Sequence, residues 1–290
     1  MPKPPLTLIV ATTPYPCPAP PNGHPKTLLG IGLNGTLPWP RIKSDMSFFA
    51  RVTSRPPLSN TAPGTGPGAG RAVRTNALIM GRKTYDSVPG KLRPLGKRVS
   101  VVVSRDREGV VRDRVRGELE RKRERERELA EAKAQAQTQA QSVSTATGTT
   151  TTAAPAEGRT DAFVVSSLEE ALTRLDTAVE EGTVGNIFVI GGAEIYGASL
   201  KIGSEAGAGA GTAAAARKVR IVITDVEKLD GSGFECDTFF PITGGDLAGE
   251  GWRRVSPEEL TGWVGEEVTG EWIEEGDVRV RMVGYERVDS

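Results

Sequence analysis

Short, unbroken apolar runs recur along the chain. LTLIVAT (6–12), NALIM (76–80), RVSVVVS (98–104), FVVS (163–166), NIFVIGG (186–192) and VRIVITD (219–225) are rich in Val and Ile. They lack the apolar–polar alternation of a half-exposed strand, and such runs fit strands covered on both faces, hence a largely parallel sheet. Between them the patterning predicts helices over 42–53, 81–88, 167–181 and 193–200, the third opened by Ser166 or Ser167 with Glu169 and Glu170. Near the end, GWRRVS and DVRVRMVGYERV alternate, as an antiparallel pair at a sheet edge would. The order of elements implies an α/β fold: a single domain with a mostly parallel central sheet flanked by helices and an antiparallel C-terminal strand pair.

Four stretches interrupt this pattern, at about 14–27 (Pro-rich), 55–75 (containing PGTGPGAG), 105–161 and 203–217 (containing AGAGAGTAAAA). Their side chains are too small or too polar to bury much apolar area, so flexible inserts or solvated helix are expected. Loops tolerate added length cheaply, which favours one interrupted domain over several. The longest insert opens with a charge-dense helical pattern, ELERKRERERELAEAKAQAQTQ. From Arg105 to Lys133 it carries eleven basic and nine acidic residues, without the one-sided excess of a phosphate-binding arm.

Lys and Arg together equal Asp and Glu at 37 each, so no bulk charge steers the chain to nucleic acid or to a membrane. No run approaches the roughly 20 apolar residues of a membrane span, and residues 6–11 are too short for a secretion signal. A soluble protein of a reducing compartment is the expectation. Two cysteines, Cys17 and Cys236, make no disulfide framework, and a single histidine, His24 in a Pro-rich run, argues against zinc and against a Ser-His-Asp triad.

Two strand-to-helix junctions carry candidate chemistry. NALIM runs into Gly81, then Arg82, Lys83 and Thr84; NIFVI runs into Gly191 and Gly192. A third strand ends at Ser104 and Arg105. Helix N-termini offer unpaired N–H groups, glycine admits close backbone approach, and ligands of open parallel sheets sit at the carboxyl edge. The cations suggest a nucleotide with a phosphate beyond the pyrophosphate, NADP(H) more than NAD(H), although no complete GxGxxG or GxxxxGK[ST] is present. In the helix over 42–53, Phe49 and Val52 share a stripe with Ile42, and Asp45 falls inside it. Either that face is offset and Asp45 is exposed, or a carboxylate leaves water and needs a partner, which a ligand with a planar pair of N–H donors would supply.

LPWPRIKSDMSFF, IMGRKTYDSVP, RPLGKRVSVVVSR, FVIGGAEIY, VITDV and DTFFP occur in order, preceded by the glycine loop GIGLNGTLPWP. In these motifs the chain resembles the dihydrofolate reductase family in its eukaryotic form, over roughly 180 residues excluding the inserts. The resemblance implies that Asp45 binds the 2-amino group and N3 of a pterin, with Thr224 behind it and Trp39 and Leu37 bordering the ring and a site water. It places Ile9, Val10 and Ile190 in the pterin pocket and Phe49, Val88 and Leu95 on the walls around pterin and benzoyl ring. Arg98 corresponds to the arginine that grips the α-carboxylate of the glutamate tail, a bidentate task. Ala11 and the loop Ile31, Gly32, Asn34, Gly35 and Thr36 would face the nicotinamide. Arg82, Lys83, Thr84, Ser104 and Arg105 would bind phosphate and adenosine. The turn Gly191, Gly192, Ala193, Glu194, Ile195 and Tyr196 would be the second phosphate site, its Gly191–Gly192 bond cis. Where family members often carry a basic residue near the 2′-phosphate this chain has Ser166, which implies a weaker NADPH preference resting on Arg105.

The activity implied is NADPH-dependent reduction of 7,8-dihydrofolate to 5,6,7,8-tetrahydrofolate, by hydride transfer to C6 and protonation of N5, in one-carbon metabolism. The resemblance also implies a monomer acting on a small molecule, with no metal, nucleic acid or membrane partner, in the cytoplasm, a mitochondrial or nuclear pool being compatible. Two alternatives stand beside it: a reductase of similar fold acting on a riboflavin-pathway pyrimidine, and a non-catalytic scaffold whose inserts serve partners.

Overall fold

The computed structural model describes residues 3–17, 26–55, 74–141, 158–202 and 217–288. Most of the inserts at 55–75 and 203–217, the centre of that at 14–27, His24, and 142–157 lie outside the described residues. The strands are β1 Leu6–Cys17, β2 Lys26–Gly32, β3 Thr75–Gly81, β4 Val99–Val103, β5 Asp161–Val165, β6 Val184–Val189, β7 Val219–Lys228, β8 Thr238–Phe239, β9 Trp252–Arg254, β10 Ile273–Glu275 and β11 Val278–Arg287. The helices are α1 Lys43–Ser54, α2 Arg82–Ser87, α3 Val110–Gln141, α4 Leu168–Glu180, α5 Ala193–Leu200, α6 Gly244–Ala248 and α7 Pro257–Val264.

Among the described residues all eleven strands join one sheet, whose main path is β10-β11-β7-β1-β6-β3-β4-β5. From β7 to β5 every neighbour is parallel. β11 runs antiparallel to β7, β9 and β10, which bears out the C-terminal edge read from the alternating segments. The buried runs alternate between two covered faces. Leu6, Leu8, Ile79 and Val101 pack with α4 and α5; Ile9, Leu78, Met80 and Val102 pack with residues of α1, α3 and α7. Ser167, not Ser166, caps α4, its hydroxyl accepting from the Glu170 N–H.

The structure departs from the sequence pattern in two inserts. Pro14–Cys17 prolong β1 and pair antiparallel with β2, because β1 continues as an edge hairpin beyond the parallel sheet, where proline is tolerated. The insert at 105–161 is also partly built in. Val111, Val115 and Leu119 of α3 are buried, the first two in the cluster that holds Phe48, Val52 and Tyr85. Their spacing of four residues was masked in sequence by the surrounding charges.

One buried side chain fixes α1 on the sheet. Asn76 donates through Nδ2 to the Thr53 and Arg55 carbonyls at 3.2 and 2.6 Å, and its Oδ1 accepts from Asn186 N–H at 3.0 Å. It thereby ties the C-terminus of α1 to β3 and β6. Asn76→Leu leaves these backbone groups unpaired in the interior, and should cost about 3 kcal/mol or more in urea unfolding; a loss below about 1 kcal/mol would contradict this role.

Candidate functional site

The sheet splits at its centre. β1 pairs with β6 only through Leu8↔Val189, whereas it follows β7 up to Thr12↔Asp225. Beyond Val189 the chain leans the other way, Ile190 N–H donating to Ile79 O at 2.9 Å. A cleft therefore opens at the carboxyl edge between two parallel strands, where α/β sheets place ligands. Tyr196 props the split: its ring is buried, and its hydroxyl donates to Ile9 O at 2.8 Å. That side chain is committed to the core, so of the turn 191–196 it is the least available to a ligand. Val10 likewise packs into the cluster with Tyr196, whereas Ile9 lies on the α1 face.

α1 crosses that face. Its buried side is Phe48 and Val52, with Phe49 only partly buried and Met46 exposed, so the apolar stripe is rotated from the one centred on Ile42. Asp45 lies on its border and is partly buried. Its pKa is raised, chiefly because burial disfavours the charged form; a hydrogen bond with Thr224 opposes this and the nearby Glu275 carboxylate adds to it. Thr224 is itself buried, on β7 opposite Ala11. No described Lys or Arg forms an ion pair with Asp45.

Glu275, absent from the sequence reading, caps α1 from β10: its carboxylate accepts from Lys43 N at 2.6 Å and from Ser44 N and Oγ at 2.9 and 2.8 Å. The only sequence trace of it is negative, since Ile42 at the N-cap position offers no side-chain cap. A carboxylate there complements the helix dipole.

Trp39 is buried against Phe234, ring centroids 5.8 Å apart, and its Nε1–H has no partner among the described residues. Leu37 is 48% exposed. The preceding loop is a tight Asn34–Gly35 turn, both residues at positive φ, closed by Leu33–Thr36 backbone bonds. Asp237 accepts from Asn34 N at 2.7 Å and holds this loop; no sequence signal beyond the DTFFP motif marks it.

Against the C-terminal half of α1, Arg98 is 7% exposed. Its Nη2 donates to Ala50 O at 2.7 Å, and among the described residues its Nε has no partner and no carboxylate pairs with it. Burial lowers its pKa to about 10, which leaves it charged at neutral pH. Phe49 and Leu95 are partly buried beside the same apolar cluster, and Val88 is partly buried after α2.

The two glycine junctions meet. Gly81 N–H donates to Gly191 O at 2.8 Å, and the Gly191–Gly192 peptide is cis. A Cβ on Gly81 would stand 3.4 Å from Ile195 Cγ1 and 3.7 Å from Gly192 N, so glycine keeps this cradle open. Arg82, Lys83 and Arg105 stand exposed around it. Arg105 reaches Glu194 only at 3.5 Å between two highly exposed side chains, a contact of little energetic weight. Ser104 Oγ accepts from Asp106 N at 3.3 Å and thus serves its own turn. Ser166 donates from N and Oγ to Glu170 at 2.8 and 2.7 Å, bringing a carboxylate to the same edge. The arrangement offers an anion beneath the cleft, a buried cation along it, and a cationic, glycine-lined rim.

A family model described as Dihydrofolate reductase matches residues 71–144. The dihydrofolate reductase of Cryptococcus neoformans is 29% identical over 259 residues, covering 86% of each chain. That of Candida albicans is 27% identical over 254 residues, covering 87% of this chain and 88% of the relative. Over most of its length the chain is thus similar to dihydrofolate reductases. Pneumocystis carinii dihydrofolate reductase is 27% identical, covering 91% of this chain and 87% of its own. A solved Schistosoma mansoni dihydrofolate reductase superposes with a TM-score of 0.49 at 23% identity over 97% of each chain, too distant to add to the assignment. Similarity to the dihydrofolate reductase family implies a nicotinamide cofactor.

The raised Asp45 pKa has a consequence for stability. The folded state binds a proton that the unfolded chain has released, so this group's contribution falls as pH rises above the ordinary carboxylate pKa of 3.8. Asp45→Asn should therefore raise the melting temperature of the ligand-free protein at pH 7, with the gain shrinking as pH approaches 4. An unchanged or lower melting temperature at pH 7 would mean that the carboxylate is not under desolvation stress.

Proposed function

We propose that this protein is a dihydrofolate reductase that reduces 7,8-dihydrofolate to 5,6,7,8-tetrahydrofolate with NADPH. One observation carries the reading: α1 carries a partly buried carboxylate and accepts at its Ala50 carbonyl from a buried guanidinium, and among the described residues neither group has an ion-pair partner. Dihydrofolate carries a complement to each, the N3–H and 2-amino pair of its pterin and the α-carboxylate of its glutamate. Ile9, Ala11 and Ile190 line the floor where the sheet splits, Leu37 and Trp39 border it, and Phe49, Val88 and Leu95 flank the benzoyl ring.

The rim fits a phosphorylated nicotinamide cofactor. The Gly81–Gly191–Gly192 cradle leaves room for a pyrophosphate, with Ala193, Glu194 and Ile195 opening α5 beside it. Arg82, Lys83, Thr84 and Arg105 would take phosphate charge. Glu170, bound by Ser166, opposes a 2′-phosphate at the same edge, which supports a modest rather than strict choice of NADPH over NADH. The loop from Ile31 through Gly32, Asn34, Gly35 and Thr36, held by Asp237, would cover the nicotinamide. When bound, NADPH supplies the hydride.

The chain's own residues do the rest. Asp45 accepts from the pterin N–H pair bidentately, fixing the ring and raising its affinity for a proton at N5. Thr224 holds the carboxylate in that orientation. The orphan Trp39 Nε1–H is placed to orient a water that delivers the proton. The apolar walls exclude other water, so the rings are held at near-contact distance.

Methotrexate-sensitive oxidation of NADPH, dependent on dihydrofolate, tests the reading and separates it from a pyrimidine reductase or an inactive scaffold. Asp45→Asn should lower turnover at pH 7 by about a hundredfold or more; normal turnover in that variant would refute the role of Asp45. Arg98→Leu should raise KM for dihydrofolate about tenfold or more with kcat little changed, since it removes binding common to ground and transition states. A kcat defect at unchanged KM would place Arg98 elsewhere in the mechanism.

A further inference from the structure

A buried polar cluster between α2, α3 and the segment before β4 lies outside the binding and catalytic groups just described. Glu118 of α3 is 8% exposed and Tyr85 of α2 is 1% exposed. Tyr85 Oη donates to Glu118 Oε2 at 2.6 Å, while Arg93 Nη2 lies 3.5 Å from Glu118 Oε1. Arg93 also stacks over the Tyr85 ring at 5.5 Å and reaches Asp86 Oδ1 at 3.5 Å, and Arg114 of α3 reaches the same Asp86 oxygen at 2.5 Å. A tyrosine hydroxyl and a guanidinium from two separate segments thus converge on one carboxylate. Burial raises the Tyr85 pKa, as do the hydrogen bond to Glu118 and its charge, so the hydroxyl stays a donor.

Both segments lead directly into the proposed binding elements. Tyr85 follows Thr84 at the cofactor rim; Arg93 begins the stretch that contains Leu95 and ends at Arg98. α3 holds the far end of that stretch too: Thr160 Oγ1 donates to Glu126 Oε1 and accepts from Lys97 N, both at 2.9 Å. Lys97, next to Arg98, has a left-handed backbone at φ 60° and gains from such a clamp.

We propose that Glu118 is a positioning residue that sets the cofactor rim and the Arg98 side of the cleft in register, so that the insert helix α3 is a working part of the site. Through Tyr85 it fixes the start of α2; through Arg93 it fixes the segment leading to Arg98. The inference rests on the functional reading above for the identity of the two ligands.

The test measures NADPH binding without substrate, by quenching of protein fluorescence, alongside kcat and KM for dihydrofolate, in Glu118→Ala, Glu118→Gln and Tyr85→Phe. Glu118→Ala should weaken NADPH binding and raise KM each about tenfold, with kcat within about twofold of wild type. Tyr85→Phe keeps the packed ring and the Arg93 contact, so NADPH binding alone should weaken. Glu118→Gln still accepts from Tyr85 and should recover NADPH affinity while KM stays raised. NADPH affinity and KM at wild-type values in all three variants, or a fall in kcat alone, would overturn the proposal. If Glu118→Ala fails to fold, the contrast between Tyr85→Phe and Glu118→Gln decides the same point. A wild-type chain that binds NADPH but does not turn over dihydrofolate would sink the functional reading, and the binding arm would still decide whether Glu118 sets the cofactor rim.

Discussion

A carboxylate held partly out of water without a cation raises the free energy of the folded chain, and the surrounding structure must hold it there. Asp45 is in that position because α1 is pinned at both ends. Glu275 reaches from β10 to cap its first N–H groups, and Asn76 takes the carbonyls of its last turn. With both ends fixed, the helix cannot rotate to expose Asp45, and Thr224 is the hydrogen-bond partner that the fold supplies. The same pinning presents the Ala50 carbonyl to Arg98. One rigid helix thus holds a carboxylate and anchors a guanidinium, neither paired with an opposite charge among the described residues, and the proposed function gives both to the ligand.

The cleft between them follows from sheet geometry. β1 keeps β7 as its neighbour for four residues after it loses β6, Ile9 through Thr12. Splitting a parallel pair strands backbone groups, and the structure satisfies them individually: Tyr196 donates to Ile9 O, and Ile190 N–H turns to Ile79. Tyr196 is therefore tied to the cleft through the backbone it props open rather than through contact at the rim.

How much of this could be read from residues alone depended on the range of the interaction. The parallel strands were legible because both faces are buried and each run is continuously apolar. Asp45 was legible as an anomaly within a stripe, yet its orientation was not, since a rotation that buries Phe48 in place of Phe49 lies within the ambiguity of a twelve-residue helix. The glycine junctions were legible as local backbone chemistry, whereas the cis Gly191–Gly192 bond was expected only from the family resemblance. What escaped was non-local. Glu275 lies 231 residues from Ser44, Asp237 lies 203 from Asn34, and Glu118 lies 33 from Tyr85. No periodicity links such pairs; only the folded sheet does.

The insert helix shows why composition misleads at such a boundary. Averaged over its length α3 is polar and charged, and from Lys133 back to Arg127 its side chains face solvent. Its first three turns are a different object: Val111, Val115 and Leu119 bury one stripe, and the carboxylate at Glu118 is carried inside with them. A carboxylate enters an interior only where donors already wait, because an unpaired one would cost several kcal/mol. Tyr85 and Arg93 are those donors, and both lie on segments that belong to the cleft rather than to the insert. The insert is thus joined to the site by the residue least suited to burial, and the tolerance expected of a surface loop stops where α3 meets Tyr85.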